Sequence, residues 1–224
     1  MDYRHEWKHQ LNKGDFLALR QRLRTVLPHD SHVGRDGSYQ IRSLYFDTPE
    51  DRALREKLDG VNLREKFRIR IYNGDDAYIR LEKKIRRDGL GNKASVRLTP
   101  GEAQSVVAEE RGWMADHPEE LVRELYAKML HQRLTPRTIV DYRREPFVYG
   151  PGNVRVTLDW DLRTGLGCTD FLDRGCVTVP AGEPLYLLEV KYDQFLPDLI
   201  RDLIQLESRQ PSAFSKYARC RIYG

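Results

Sequence analysis

The sequence predicts an α+β protein built on a largely antiparallel sheet. Several segments alternate apolar and charged residues, which is the pattern of strands with two unlike faces. An Asn-Gly pair joins two of these segments, as in a hairpin. Helical segments fall between groups of strands rather than after every strand. This order excludes the strand–helix alternation of a doubly wound nucleotide-binding fold.

The first half of the chain is predicted to contain five strands, with one helix between the first strand and the second. A strand is predicted near residues 3–10, and an amphipathic helix over 13–27 follows it. IRSLYFD at 41–47 is typical of a strand. The segment 64–84 provides two strands joined through NGDD at 73–76, and KASVRL at 93–98 provides another.

Two helices and a second group of strands follow. Thr99-Pro100-Gly101-Glu102 is a capping box with Pro at the first helical position, and it predicts a helix to about residue 110. A further helix is predicted over 118–132. The remaining segments are strands at 138–145, 153–159 and 186–192, an amphipathic helix at 197–209, and a short element in the tail.

The charge of the chain is concentrated in one window. The 224 residues predict a single domain, 1–224, with 40% apolar and 32% charged residues and a net charge of +4. Residues 64–97 contain 11 Lys or Arg but only 5 Asp or Glu. This excess indicates an anionic partner such as phosphate or nucleic acid, although a solvated sheet face is an equal alternative at this point.

Several other classes of protein are disfavoured. Cys168, Cys176 and Cys220 lack CxxC spacing, so neither a disulfide framework nor a zinc site is indicated. The loop at 88–95 lacks P-loop spacing and precedes a strand. The polar N-terminus is not a secretory signal, and no apolar run reaches the roughly 18 residues of a membrane span. A cytoplasmic location without a membrane segment in this chain is expected.

The charged strand faces allow two arrangements. In a half-open sheet the charges would be solvated, whereas in a barrel they would line the lumen and the apolar face would lie under helices. The prominence of Arg, which binds phosphate bidentately, favours the inward arrangement. Glu82 and Glu189 stand among these cations. Each carboxylate would either hold a divalent cation or pair with a neighbouring Lys or Arg.

Seven short motifs occur in an order that spans nearly the whole chain. They are E-x-K at 6–8, R-x-R at 68–70, L-E-K-K at 81–84, Y-x-R at 142–144, R-V-T-L-D at 155–159, L-E-V-K at 188–191 and F-S-K-Y at 214–217. In this order they resemble the VTC (vacuolar transporter chaperone) catalytic domain of the triphosphate tunnel metalloenzyme superfamily, in its compact bacterial form.

The resemblance implies an antiparallel β-barrel tunnel with a charged lumen and helices packed outside. It implies catalytic roles in phosphate binding for Arg70, Lys84 and Lys216. It implies further phosphate contacts from Lys8, Arg42, Arg68, Lys93, Arg97, Arg144, Arg155, Lys191 and Ser215. It also implies that Glu189, assisted by Glu82, holds Mn²⁺ or Mg²⁺. Two positions depart from the family pattern: Arg4 stands at the first acidic place of the opening motif, and Ala213 replaces a basic residue.

The function implied by the resemblance is ATP-dependent synthesis of inorganic polyphosphate, with ATP and polyphosphate as partners. A tunnel triphosphatase is the alternative within the fold, and Glu82 or Glu6 would then be the candidate base. A non-catalytic polyphosphate or nucleic-acid binding module is the third. Nucleic acid is disfavoured because the basic faces lack interleaved aromatics, although Tyr72 shares the strand face of Arg68 and Arg70. The sequence leaves open the oligomeric state and a membrane partner.

Overall fold

A computed structural model describes residues 4–206 and 213–222, and the strands of these residues form one antiparallel sheet. The strands are β1 (His5–Leu11), β2 (Tyr39–Asp47), β3 (Arg64–Tyr72), β4 (Asp75–Arg87), β5 (Leu90–Leu98), β6 (Thr135–Tyr149), β7 (Val154–Thr164), β8 (Val179–Pro180) and β9 (Tyr186–Tyr192). The two hairpin turns among β3, β4 and β5 are built on Asn73-Gly74 and Asp88-Gly89. All four residues have φ between 51° and 79°, which is the geometry that favours Asn, Asp and Gly.

The sheet curls until its two edge strands meet. The strand order is β1-β9-β7-β6-β2-β3-β4-β5, and the short β8 pairs with β7. The edges are joined by a bridge between Arg4 and Gly91, whose backbones exchange hydrogen bonds of 3.1 and 3.2 Å. The Nζ of Lys84 on β4 also lies 3.0 Å from Oε1 of Glu6 on β1. The predicted α+β tunnel fold is therefore confirmed.

The described helices pack against the sheet. They are α1 (Lys13–Val26), α2 (Arg52–Leu58), α3 (Pro100–Val107), α4 (Glu120–His131), α5 (Asp198–Leu203) and α6 (Lys216–Arg221). The predicted capping box of α3 is present, because Thr99 Oγ1 accepts from the Glu102 backbone N–H and Glu102 Oε2 accepts from the Thr99 backbone N–H. None of the described helices is both long and apolar enough to span a membrane.

Two apolar clusters attach α1, α3, α4 and α5 to the outer face of the sheet, whereas α6 packs on the inward side, where Tyr217 stacks on Tyr45 with ring centroids 5.1 Å apart. One packs Ile69 and Leu81 from the strands against residues of α3 and α4 such as Val106 and Leu125, all of them fully or almost fully buried. The other packs the buried stripe of α1 against β7 and β9. Because the apolar residues of each strand point outward into these clusters, the alternate residues point into the lumen.

The structure differs from the sequence-based elements in three places. The helix α2 was not predicted, since its seven residues carry little periodicity and begin after Asp51 in the left-handed region. The last amphipathic helix ends at Leu203, and positions 207–209 of its predicted range lie outside the described residues. Between β7 and β8, Cys168 and Cys176 bring their sulfur atoms within 2.8 Å of each other, which their spacing in sequence does not indicate.

Candidate active site

The inward faces of the strands enclose one large cavity of about 680 Å³. Most of the residues implied by the resemblance line it. They are Lys8, Arg68, Arg70, Lys84, Lys93, Arg144, Arg155, Glu189, Lys191, Ser215 and Lys216. The strand alternation thus brings cations from distant parts of the chain to one lumen. The structure does not test their roles, so these residues remain predicted binders.

Three predicted residues do not line the cavity. Arg42 lies on the outer face of β2, away from the cavity, and forms a salt bridge of 2.9 Å with the buried Asp141. On β2 the inward positions are instead occupied by residues such as Tyr39 and Tyr45. Arg97 is exposed beyond the cavity, where its guanidinium donates to the Ala77 carbonyl. Glu82 is the third predicted residue that does not line the cavity.

Glu82 lies beneath the cavity wall, is 1% exposed and forms ion pairs with three cations. Its Oε2 is 2.6 Å from Arg68 Nη2 and 3.7 Å from Arg70 Nη1, and its Oε1 is 2.9 Å from Lys93 Nζ. Burial tends to raise the pKa of Glu82, but Arg68, Arg70 and Lys93 outweigh burial and lower it. Glu82 therefore holds Arg68, Arg70 and Lys93 in place, and its predicted metal-binding role stays a prediction.

A second carboxylate cluster lies where β1 pairs with β9. Glu189 Oε1 is 2.7 Å from Lys191 Nζ, and Glu6 Oε1 is 3.0 Å from Lys84 Nζ. Lys8 lies between the two carboxylates, 3.4 Å from Glu6 and 3.8 Å from Glu189. Burial and the charge of Glu189 tend to raise the pKa of Glu6, but the three lysines lower it to about 2. Lys191, Lys8 and Arg144 likewise hold the pKa of Glu189 well below its usual range despite burial.

A third cluster contains Asp159, which the sequence analysis did not single out as a site residue. Asp159 accepts two hydrogen bonds of 2.7 Å from Arg144 and lies 2.6 Å from Lys216 Nζ. It is 1% exposed, and these cations lower its pKa although burial opposes them. Its place in the inward register of β7, two and four residues from Thr157 and Arg155, is the signal that could have identified it.

Tyrosine hydroxyl groups orient the guanidinium groups of the wall. Arg68 donates to Tyr45 Oη at 2.8 Å, and Arg70 donates to Tyr142 Oη at 3.2 Å. Ser215, by contrast, reaches the cavity while its hydroxyl accepts from the backbone N–H of Ala218 at the start of α6. The inward tyrosines therefore form part of the cation framework.

Another part of the lumen contains cations without carboxylate partners. Within the described residues, no Asp or Glu oxygen lies within 4.0 Å of Lys57, Arg64 or Lys66. Burial, together with the charges of Arg64, Lys57 and Lys8, lowers the pKa of Lys66 to about 7. Burial and the charge of Lys8 lower the pKa of Lys84 to about 7 as well. The lumen therefore holds more positive charge than its carboxylates balance, as expected for a polyanion site.

The carboxylates of the β1–β9 cluster fit a divalent cation that arrives with phosphate. Glu6 and Glu189 repel each other, and the cations nearest to them are lysines. In the described part of the chain, no three His, Cys, Asp or Glu residues are grouped closely enough to hold a metal unaided. Mg²⁺ characteristically binds through one or two carboxylates plus substrate phosphates, which this pair can provide.

Solved structures share the fold. HpAC1 from Hippeastrum, provisionally an adenylyl cyclase and described as having a dominant triphosphatase activity, is 17% identical with a TM-score of 0.59, over 98% of this chain and 95% of its own. A Bacillus halodurans protein, provisionally an adenylate cyclase, is 18% identical with a TM-score of 0.53, over 85% of this chain and 80% of its own. At these identities the similarity shows the fold alone. No curated protein matches the chain significantly.

The fold is a tunnel fold, in which an antiparallel sheet curls around a basic cavity. The sequence profile of the VTC domain matches residues 3–222. The chain therefore belongs to the VTC domain family, as its ordered motifs indicate.

Proposed function

We propose that this cavity transfers the γ-phosphate of ATP to a growing chain of inorganic polyphosphate, with Mn²⁺ or Mg²⁺ as cofactor. One observation favours phosphoryl transfer to polyphosphate over hydrolysis by water. The cavity carboxylates are all held ionised by cations, and the pKa of Glu6 is lowered to about 2. Such carboxylates are poor bases toward water, whereas a terminal phosphate oxygen is already anionic and needs no base.

The cations would act by positioning the phosphates and neutralising them. Phosphoryl transfer spreads negative charge over the oxygens of the group in flight, so donors fixed around it stabilise the transition state. Arg68 and Arg70 are fixed by Glu82, and Lys216 is fixed by Asp159. These side chains do not have to reorganise during the reaction.

Glu189 and Glu6 would hold the metal ion, since they are the paired carboxylates of the lumen and their nearest cations are lysines. A bound divalent cation would supply further charge neutralisation on the phosphates. Lys8, Lys84 and Lys191 would then exchange carboxylate contacts for phosphate contacts. A nearby phosphate also raises the pKa of Lys84 again, so this residue would bind its ligand as a cation.

A tunnel triphosphatase is the second candidate, and one observation favours it. With the pKa of Lys84 near 7 in the free protein, a neutral amine is available to accept a proton from water. The Hippeastrum neighbour, in which triphosphatase activity dominates, shares the fold. If phosphate binding keeps Lys84 charged, this route is closed and transfer is favoured.

The test is an assay of purified protein with ATP and Mn²⁺ or Mg²⁺, in which polymer is resolved on a gel and free phosphate is measured. A ladder of long chains is expected. Free phosphate alone would support the triphosphatase, and polyphosphate binding without turnover would support a binding module. Arg70→Met should reduce turnover by at least about 100-fold, whereas Arg52→Ala, an exposed charge on α2, should not. We propose the cytoplasm, with its ATP supply, as the site of the reaction.

A further inference from the structure

A group of aromatic and cationic side chains continues the concave face of the sheet beyond the cavity. It consists of Tyr72 on β3, Tyr78 and Arg80 on β4, and Arg97 on β5, and is called the tyrosine–arginine shelf below. Tyr78 is 45% exposed. Its position alternates with the outward Ile79, which is fully buried against the helices. The shelf therefore faces the same side as the lumen.

The shelf has a fixed geometry. The ring centroids of Tyr72 and Tyr78 are 6.3 Å apart, and the guanidinium carbons of Arg80 and Arg97 lie 5.7 and 5.9 Å from the Tyr78 centroid. Arg80 Nε donates to Ser95 Oγ at 2.9 Å, and Arg97 Nη2 donates to a backbone carbonyl at 2.7 Å. Both guanidinium groups are thus held close to an exposed ring without burying it.

The shelf is also continuous with the phosphate-binding lumen. Tyr72 lines the cavity, and the guanidinium carbon of Arg70 lies 6.0 Å from its ring. Within the described residues, neither Arg80 nor Arg97 has a carboxylate oxygen within 4.0 Å. Unlike Arg68 and Arg70, these two cations have no carboxylate counterion in the described part of the chain. A path of cations and rings therefore leads from the cavity to an open surface.

We propose that the tyrosine–arginine shelf binds the nucleobase of a nucleoside triphosphate whose phosphates lie in the lumen. Purine and pyrimidine rings stack on aromatic side chains and on guanidinium planes, and this contact tolerates any base. Arg80 and Arg97 would in addition attract the phosphate nearest the sugar. The inference rests on the proposed use of ATP, and it makes the shelf the element that distinguishes a nucleotide from inorganic triphosphate.

The experiment compares two ligands by calorimetry: a non-hydrolysable β,γ-imido ATP analogue and inorganic triphosphate. Tyr78→Ala should weaken binding of the nucleotide analogue about tenfold, in line with the worth of one base–aromatic stack. Binding of inorganic triphosphate should be unchanged. Tyr78→Phe keeps the ring and should bind both ligands as the unmodified protein does. Phe195→Ala removes an exposed ring elsewhere and serves as the matched control.

The proposal is overturned if Tyr78→Ala leaves nucleotide binding unchanged, or if it weakens both ligands equally. It is also overturned if the unmodified protein binds neither ligand, or binds the analogue no more tightly than inorganic triphosphate. Binding and turnover are separate readouts. A protein that bound the analogue through Tyr78 yet made no polymer would contradict the polymerase and support the shelf.

Discussion

Replacing Glu82 by Gln removes one negative charge from beneath three cations and keeps the shape of the side chain. Glu82 is 1% exposed and is shared by Arg68, Arg70 and Lys93. Gln can still accept hydrogen bonds, but it cannot balance charge. Arg68 and Arg70 would then be buried next to each other without a counterion.

The expected loss is about 3–5 kcal/mol of unfolding free energy, which is typical of breaking a buried ion pair from one side. A chain of this length has an unfolding entropy of roughly 0.5 kcal/mol/K, so the loss corresponds to a fall in Tm of about 6–10 °C. The pKa of Glu82 is lowered by its cations. Its contribution is therefore present above the ordinary carboxyl pKa and is lost as pH falls below it.

The assay is thermal unfolding by circular dichroism at pH 7 and low salt, with and without inorganic triphosphate. Glu56→Gln is the control, because Glu56 pairs with the exposed Arg52 on α2 and should cost less than about 1 kcal/mol. Triphosphate should raise the Tm of Glu82→Gln more than that of the unmodified protein, since the ligand replaces the missing charge. A Glu82→Gln variant as stable as Glu56→Gln would refute the reasoning.

Three further predictions concern protons, metal and thiols. Because Lys66 and Lys84 have pKa values near 7 in the free protein and regain higher values beside phosphate, binding should take up protons at pH 8 and weaken as pH rises from about 7 to 10. Calorimetry in two buffers of different ionisation enthalpy measures this uptake, and its absence would contradict the assignment. Glu189→Gln, or a chelator, should abolish turnover but leave polyphosphate binding nearly intact. If Glu189→Gln retains full metal-dependent turnover, the metal assignment is wrong. An excess of oxidised glutathione should join Cys168 to Cys176 by two thiol–disulfide exchanges, detected by mass spectrometry as the loss of two hydrogens. If Cys168 and Cys176 stay free thiols after this treatment, the contact between their sulfur atoms would be contradicted.

Strand alternation predicted much of the lumen because most of these strands have one apolar and one charged face. Arg68, Lys84 and Lys191 each follow the inward parity of their strand. Arg42 does not, because both faces of β2 are largely buried and an outward Arg is satisfied by Asp141. Polarity alone cannot orient a strand that is covered on both sides.

Other features depend on contacts between residues far apart in the chain. Arg68 and Glu82 are cross-strand neighbours in a hairpin, so their proximity follows from the turn. The pairing of Lys216 with Asp159 depends on how α6 docks, and no periodicity in the sequence encodes that position. The edge contact between Arg4 and Gly91 likewise depends on the curvature of the whole sheet.

The carboxylates already present in the lumen allow its cations to exchange one anionic partner for another. Lys191 and Lys84 are held by Glu189 and Glu6, so each has an anionic partner before any ligand arrives. In the proposed reaction, a phosphate that enters would replace that partner, and a phosphate that leaves would be replaced by it. The free energy of advancing a chain by one unit would then be a small difference between two similar contacts. Such a lumen would bind a long polyanion tightly through many contacts, while each one-unit movement of the chain would change the free energy only slightly.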